Sequence, residues 1–175
     1  FLLLEDQVRQ GDVVQVAGVS GEVIDITPRR TVLRDINGHV HVVPNSAITV
    51  ATNMTQGFSR INLDVTVAYE EDIDRVARVL DEVCATLAED HRQDVLSALK
   101  VVRVNNLGPD GVDLKIAGDV RAFKQWELAG ELRRRIKNRF DREGIEIPYH
   151  REVQAPFRHA GAGGKAAEGE AGESA

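Results

Sequence analysis

The sequence contains one cysteine, Cys84, one methionine, and aromatic residues at only 5% of its positions. A lone cysteine excludes an internal disulfide framework and suits a reducing compartment. Few aromatics leave little material for stacking nucleic-acid bases: the runs 60–69 and 99–107 offer only Tyr69. No stretch approaches the ~18 to 20 apolar residues needed to span a bilayer, and none reads as a signal peptide. Phosphate loops and dinucleotide fingerprints are missing too. Positive charge is in deficit, with a net charge of −6, which argues against a generic nucleic-acid or anionic-membrane binder.

What is present is an ordinary soluble composition, 42% apolar and 29% charged over 175 residues, enough for one large or two small domains with real cores. The chain opens "FLLLEDQVRQGD", without a Met and in mid-apolar run. That start reads as a cut end, with Phe1 to Leu4 the tail of a preceding segment.

From Asp12 to about Asn53 short β runs alternate with turn residues: "DVVQVAG", "GEVIDITP", "TVLRDING", "HVHVVPNS" and "AITVATN". Five short strands in about 45 positions predict a small barrel or curled sheet. Gly11-Asp12 sits where the chain enters the first strand, and Gly18 and Gly21 flank Ser20 at the first hairpin. After "TQGF" the pattern changes. "RINLDVTVAY" puts Ile61, Leu63, Val65 and Val67 on one strand face. The run after it places Ile73, Val76, Leu80, Val83, Cys84 and Leu87 on one helical stripe. Two strands follow, joined by Gly108-Pro109-Asp110-Gly111. A second helix comes next, with Trp126, Ala129, Leu132, Ile136 and Phe140 inward and Gly144 as its stop, and "IEIP" is expected as a closing strand. The order from Arg60 to Pro148 is β-α-β-β-α-β, a ferredoxin-like arrangement. Beyond Pro156 the Ala/Gly/Glu-rich tail has almost nothing to bury and is expected to be disordered.

The stretch "DINGHVHVVPNSAI", Asp35 to Ile48, admits two readings, a metal-binding strand or a plain hairpin. Asn37-Gly38 predicts a two-residue type I′ turn, which would pair Arg34 with His41 and Leu33 with Val42. His39 and His41 then share a face, but Arg34 would set a permanent cation where a metal must sit. Pro44 ends the strand, and Asn45-Ser46 favours a turn.

Other candidate chemistry is thin. "GVSG" falls one residue short of a nucleophile elbow and lies in a hairpin. Cys84 falls on a buried stripe, where a small hydrophobe is the usual meaning. The acids Glu70, Glu71, Asp72 and Asp74 lack the spacing of a calcium loop and suit helix N-capping. Arg121 to Arg142 carries eight Lys and Arg, but these are interleaved with Glu127, Glu131 and Asp141 around a solvated face. The residues point to no catalysis, no cofactor and no metal.

The ordered set "EDQVRQGDVVQVAGVSGEVIDITPRRTVLRDINGHVHVVPNSAI", continued by "VAYEEDIDRV" and "GIEIPY", resembles the small-conductance mechanosensitive (MscS-like) channel family from about Leu2 to Val153. The resemblance implies an Sm-like β-domain over 11–57 and a ferredoxin-like α/β domain over 58–150. It implies that residues 1–10 are the end of a pore helix and its linker, and that 151–175 hold a terminal strand candidate and the tail. It further implies a homo-oligomer, usually heptameric, in the inner membrane. Missing N-terminal helices would reach the bilayer, and this fragment would form a cytoplasmic vestibule through which ions and small solutes pass. Arg9 matches the family's basic residue below the membrane, Gly11-Asp12 its turn into the barrel, and Pro44-Asn45 its "PN" loop. Gly18, Gly21, Asn37 and Gly38 fall on its β-domain motifs. Where the family often has "IPFPQ", this chain has "IPYHR", with His150 in place of the second proline. An RNA-binding module is the alternative, since both folds serve RNA elsewhere. The Pro44-Asn45 loop is expected to matter for gating more than for folding, with Asn45→Ala costing about 1 kcal/mol or less.

Overall fold

The computed structural model describes residues 7–149. The expectations for Phe1 to Leu4, His150 and the tail beyond Pro156 lie outside them.

Alternating Val and polar residues produce a five-stranded antiparallel sheet: β1 (Val13–Val16), β2 (Val19–Ile26), β3 (Arg30–Arg34), β4 (Val40–Pro44) and β5 (Ala51–Asn53), in the order β4-β3-β2-β1-β5. All five predicted strands form. A register shift in β2 between Val23 and Asp25 bends the strand, so its first half pairs with β1 and its second half with β3. The sheet curls around Val14, Val16, Val23, Leu33 and Val43, with Val8, Val19, Ile26 and Ile48 packed at the margins. β4 and β5 are its two edges and do not bond to each other. Five fully buried side chains make a small core, so polar bonds at the loops carry a larger share of this unit's stability.

The type I′ turn lies elsewhere than predicted. Ala17 (φ 47°) and Gly18 (φ 79°) between β1 and β2 both take left-handed backbone, as that turn requires. At the second hairpin only Gly38 does (φ 84°), its N–H donating to Asp35 O at 3.0 Å, while Asp35 N–H donates to His39 O at 2.9 Å. This is a three-residue loop closed by a glycine bulge. The cause is Asp35: its Oδ1 accepts the N–H groups of Asn37 and His39, both at 2.9 Å, and holds Asn37 out of the left-handed region. The register slips by one accordingly. Arg34 pairs with Val40 and Leu33 with His41, so the predicted Arg34–His41 and Leu33–Val42 pairs do not form.

The second unit packs α1 (Ile73–Asp90) and α2 (Gln125–Glu143) on one face of a sheet ordered β6-β8-β7, from β6 (Phe58–Val67), β7 (Lys100–Leu107) and β8 (Val112–Arg121). Ile61, Leu63, Val65 and Val67 of β6 face the helices, as predicted, with Val112, Leu114, Ile116 and Val120 of β8 beside them. The stripe of α1 is buried from Val76 to Leu87, and Asp72 caps its start by accepting Asp74 and Arg75 N–H. The other sheet face is polar and cross-linked in register: Arg60 to Asp119 at 2.6 Å, Thr66 to Asp113 at 2.6 Å, Lys115 to Asp64 at 2.8 Å.

Two expectations fail here. Trp126 points outward, 51% exposed, because the buried stripe of α2 is Leu128, Leu132, Ile136 and Phe140 at strict i+4 spacing, and Trp126 lies two residues off it. "IEIP" does not form a strand. Gly144, left-handed at φ 66°, ends α2, Ile145 N–H donates to Phe140 O, and Ala68 N–H donates to Glu146 O. Pro148 then removes a ladder donor, so the described order is β-α-β-β-α.

Candidate functional site

The residues singled out in the first unit gather into two polar knots and one hairpin tip. The first knot is the entry turn. Arg9 O accepts Asp12 N–H at 3.1 Å and Arg9 N–H donates to Asp12 Oδ2 at 2.9 Å, closing a four-residue turn with Gly11 at φ 93°. Gly11 is required there by its backbone sign. The turn is sewn to β2 by Gly11 N–H to Val23 O and Val23 N–H to Asp12 O, both at 2.8 Å, and by Gln10 Nε2 to Ile24 O at 2.7 Å. Asn53 Nδ2 donates to both Gln7 O (2.8 Å) and Asp12 Oδ2 (2.7 Å), and buried Thr55 accepts Val13 N–H at 3.0 Å. Arg9, Gly11 and Asp12 thus share one turn. Asn53 and Thr55 complete the knot without any sequence signal beyond being short polar residues at a strand end.

The second knot centres on Asn45, at the start of a 3-10 turn spanning Asn45–Ala47. Its N–H donates to Arg29 O, its Nδ2 to Thr27 O, and its Oδ1 accepts from Thr31 Oγ1, each at 2.9 Å. Thr31 is 5% exposed, so Asn45 is its means of satisfying a buried hydroxyl. The Asn45 side chain staples the β2–β3 loop to the end of β4, a structural part beside the gating role expected of the Pro44-Asn45 loop. Gly18 occupies the first hairpin's left-handed position. Gly21, apart from it, is held by space, since a Cβ there would lie 2.5 Å from the Arg34 carbonyl oxygen.

At the hairpin tip, Asp35 Oδ2 lies 3.3 Å from His39 Nδ1 and 3.1 Å from His41 Nε2. The His41 contact, with the two backbone N–H bonds, holds the Asp35 carboxyl down at about 2. Arg34 turns away and donates to Gly38 O at 2.9 Å. Among the described residues no group of three His, Cys, Asp or Glu is arranged to hold a metal ion. The stretch is a hairpin whose acid is stapled by two imidazoles. Cys84 is fully buried and its thiol is pushed up to about 12, first by burial and second by Asp81, so it serves as a core hydrophobe.

The two units touch where Gln125 Nε2, at the start of α2, donates to Met54 O at 3.3 Å. Beside this contact Val13, Gly21, Ile36, Met54 and Trp126 line an open crevice of about 390 Å³. Among the described residues the polar sheet face carries one aromatic, Phe58, at its edge under the Arg60 guanidinium at 6.0 Å, which leaves no stacking platform for RNA bases.

The chain is thus a five-stranded β unit, entered through a Gly-Asp turn and carrying a Pro-Asn loop between its last two strands, followed by an α/β unit. Two family models match the chain in order: the β-domain of mechanosensitive ion channels over residues 1–56 and the C-terminal region of the mechanosensitive channel MscS over residues 61–147. The chain belongs to the MscS family of mechanosensitive ion channels. It is 27% identical over 151 residues to a small-conductance mechanosensitive channel of Caldanaerobacter subterraneus subsp. tengcongensis, covering 86% of this chain and 53% of that protein. It is 31% identical over 154 residues to the one from Edwardsiella ictaluri, covering 85% and 52%. The chain therefore spans about half the length of these relatives. The closed-state crystal structure of Helicobacter pylori MscS shares the fold, with a TM-score of 0.70 at 24% identity over 88% of this chain and 61% of that one. Among the described residues no helix is long and apolar enough to cross a membrane.

Proposed function

We propose that this chain is the cytoplasmic vestibule of a channel that opens under membrane tension and releases ions and small solutes in hypoosmotic shock. The observation that carries the reading is the ordered match of both family models across residues 1–147 onto two units with separate cores. On this reading the complete protein sits in the inner membrane, helices preceding Gln7 form the pore, and copies of the chain assemble as a homo-oligomer, a heptamer as the family resemblance implies. The curled first sheet corresponds to an Sm-like β-domain over 11–57, and the second unit to a ferredoxin-like domain over 58–150 whose last strand is not drawn from 145–149. Arg9, Gly11 and Asp12 form the junction between pore and vestibule. The reading assigns the chain no catalysis. The RNA-binding alternative loses its main requirement, since the sheet face left bare by the helices is a ladder of ion pairs and amides.

The test is electrical. The full-length protein in patched membrane should pass current when suction is applied, and its expression should rescue channel-deficient cells from dilution shock. Correctly inserted protein that stays silent up to membrane rupture would overturn the channel reading.

A further inference from the structure

Arg29 lies in the β2–β3 loop and Arg30 opens β3, just past the stretch of β2 that bonds to the entry turn. Gln10 of that turn is bonded to Ile24, and Arg29 follows five residues on, so it lies within about 16 Å of the turn at strand rise. The loop is built rather than loose. Thr27 N–H donates to Arg30 O (2.9 Å), Arg30 N–H donates to Thr27 Oγ1 (3.1 Å), and Asn45 fixes the carbonyls of Thr27 and Arg29 from outside. Pro28 fixes a further φ. On this frame both arginines are exposed. Arg30 faces Asp25 only at the outer limit of an ion pair, 4.0 Å, and Arg29 has no carboxylate partner among the described residues. This contrasts with α2, where Arg134, Arg135 and Arg139 are each bonded to acids at 2.6 to 2.8 Å. The stretch from Pro44 to Gly57 carries no charge. The acids at this end are Asp12, whose carboxylate is taken up by Arg9 N–H and Asn53 Nδ2, and Asp25.

We propose that Arg29 and Arg30 bind the headgroups of anionic phospholipids at the cytoplasmic surface. The proposal rests on the channel reading, which puts Gln7 to Asp12 just below the bilayer. A guanidinium held near an anionic surface favours binding by about fivefold, so the pair contributes about 25-fold per chain. Assembly multiplies the effect, because every copy in a ring presents its pair to the same surface. A rigid loop makes the contact sensitive to distance: lateral or vertical displacement of the entry turn carries the arginines with it.

Two measurements separate this inference from the channel reading. In flotation, the 175-residue chain should bind vesicles of phosphatidylcholine with 40% phosphatidylglycerol, less so as salt rises, and bind pure phosphatidylcholine weakly. The R29Q/R30Q variant should lose about 25-fold on the anionic vesicles with its circular dichroism unchanged. Equal binding by variant and parent overturns the inference, and so does displacement by millimolar glycerol phosphate at constant ionic strength, which would assign the site to a soluble phosphate. In reconstituted full-length protein, the opening tension should depend on phosphatidylglycerol in the parent and lose that dependence in R29Q/R30Q. A conducting variant that keeps the full lipid dependence refutes the lipid contact while leaving the channel reading intact.

Discussion

Asn45→Ala tests how much of the first unit's stability resides in one amide. The substitution deletes two side-chain hydrogen bonds of 2.9 Å, to Thr31 Oγ1 and Thr27 O, and leaves the backbone bond to Arg29 O in place. Each deleted bond is worth about 1 kcal/mol net. The Thr27 carbonyl is only half buried and recovers a water, but the Thr31 hydroxyl, at 5% exposure, does not. Its desolvation adds about 1 kcal/mol, for a total of about 2 to 3 kcal/mol. On a unit this small that is a fall in melting temperature of roughly 10 °C or more. Calorimetry at fixed protein concentration, so that self-association does not move the midpoint, reads it directly. The mechanism is checked by Thr31→Val, which removes the orphaned hydroxyl: the double variant should be less destabilised than the sum of the singles by about 1 kcal/mol. A loss under about 0.5 kcal/mol for Asn45→Ala, or strict additivity in the cycle, would refute the staple and restore the loop to a purely functional role.

Gly21→Ala should destabilise the first unit by more than about 2 kcal/mol in denaturant titration, because its Cβ would meet backbone at Arg34 that no side-chain rotation can clear; a neutral substitution would mean β3 shifts freely. The Asp35 carboxyl, held at about 2 against an ordinary 3.8, stabilises the fold above about pH 4 and loses that contribution as pH falls toward 2. Thermal melts of the parent should therefore drop more steeply between pH 5 and pH 2.5 than those of Asp35→Asn, and parallel curves would count against the His41 contact. Cys84 should resist alkylation at pH 8 in the native protein and react at once in denaturant, since its thiol is buried and raised to about 12; native labelling at the denatured rate would show that α1 opens.

The five strands of the first unit, the strands and helices of the second up to α2, and the buried stripe of α1 were legible because they rest on period-two and period-3.6 apolar repeats. The stripe of α2 was half legible: Leu132, Ile136 and Phe140 were found, but Trp126 was drawn inward by its hydrophobicity although the i+4 series runs back to Leu128. The hairpin tip was misread by one residue because Asn-Gly is a strong type I′ signal only when no side chain captures the turn's N–H groups. Asp35 does capture them, and a single slip moves every side chain on β4 to the opposite face. "IEIP" fits a strand by composition, but one bond from Ala68 and a following Pro148 leave too few ladder partners. Asn53, Thr55 and Thr31 were invisible in sequence. Their role lies in which distant carbonyl or N–H they meet, with separations of 14 to 46 residues that no local pattern encodes.

The two knots decide where a displacement of the chain before Arg9 would be felt. A turn closed only on itself would fray when pulled, but this one is bonded at three successive levels, Gln10, Gly11 and Asp12, to Val23 and Ile24 of β2. Asn53 holds both ends of the same turn, so movement of Gln7 relative to Asp12 must break or drag β5 as well. From β5 the path continues through Met54, whose carbonyl accepts Ser59 Oγ at 2.9 Å and Gln125 Nε2 at 3.3 Å. The entry turn, the curled sheet and the first residue of α2 are therefore linked by short polar bonds rather than by an apolar interface that could slide. Contiguity of this kind gives a rigid body and not by itself a switch. It follows that the first unit moves as a whole with its entry turn; on the proposed channel reading, a bistable element would then belong before Arg9 or at surfaces such as the crevice beside Trp126 and the two open sheet edges.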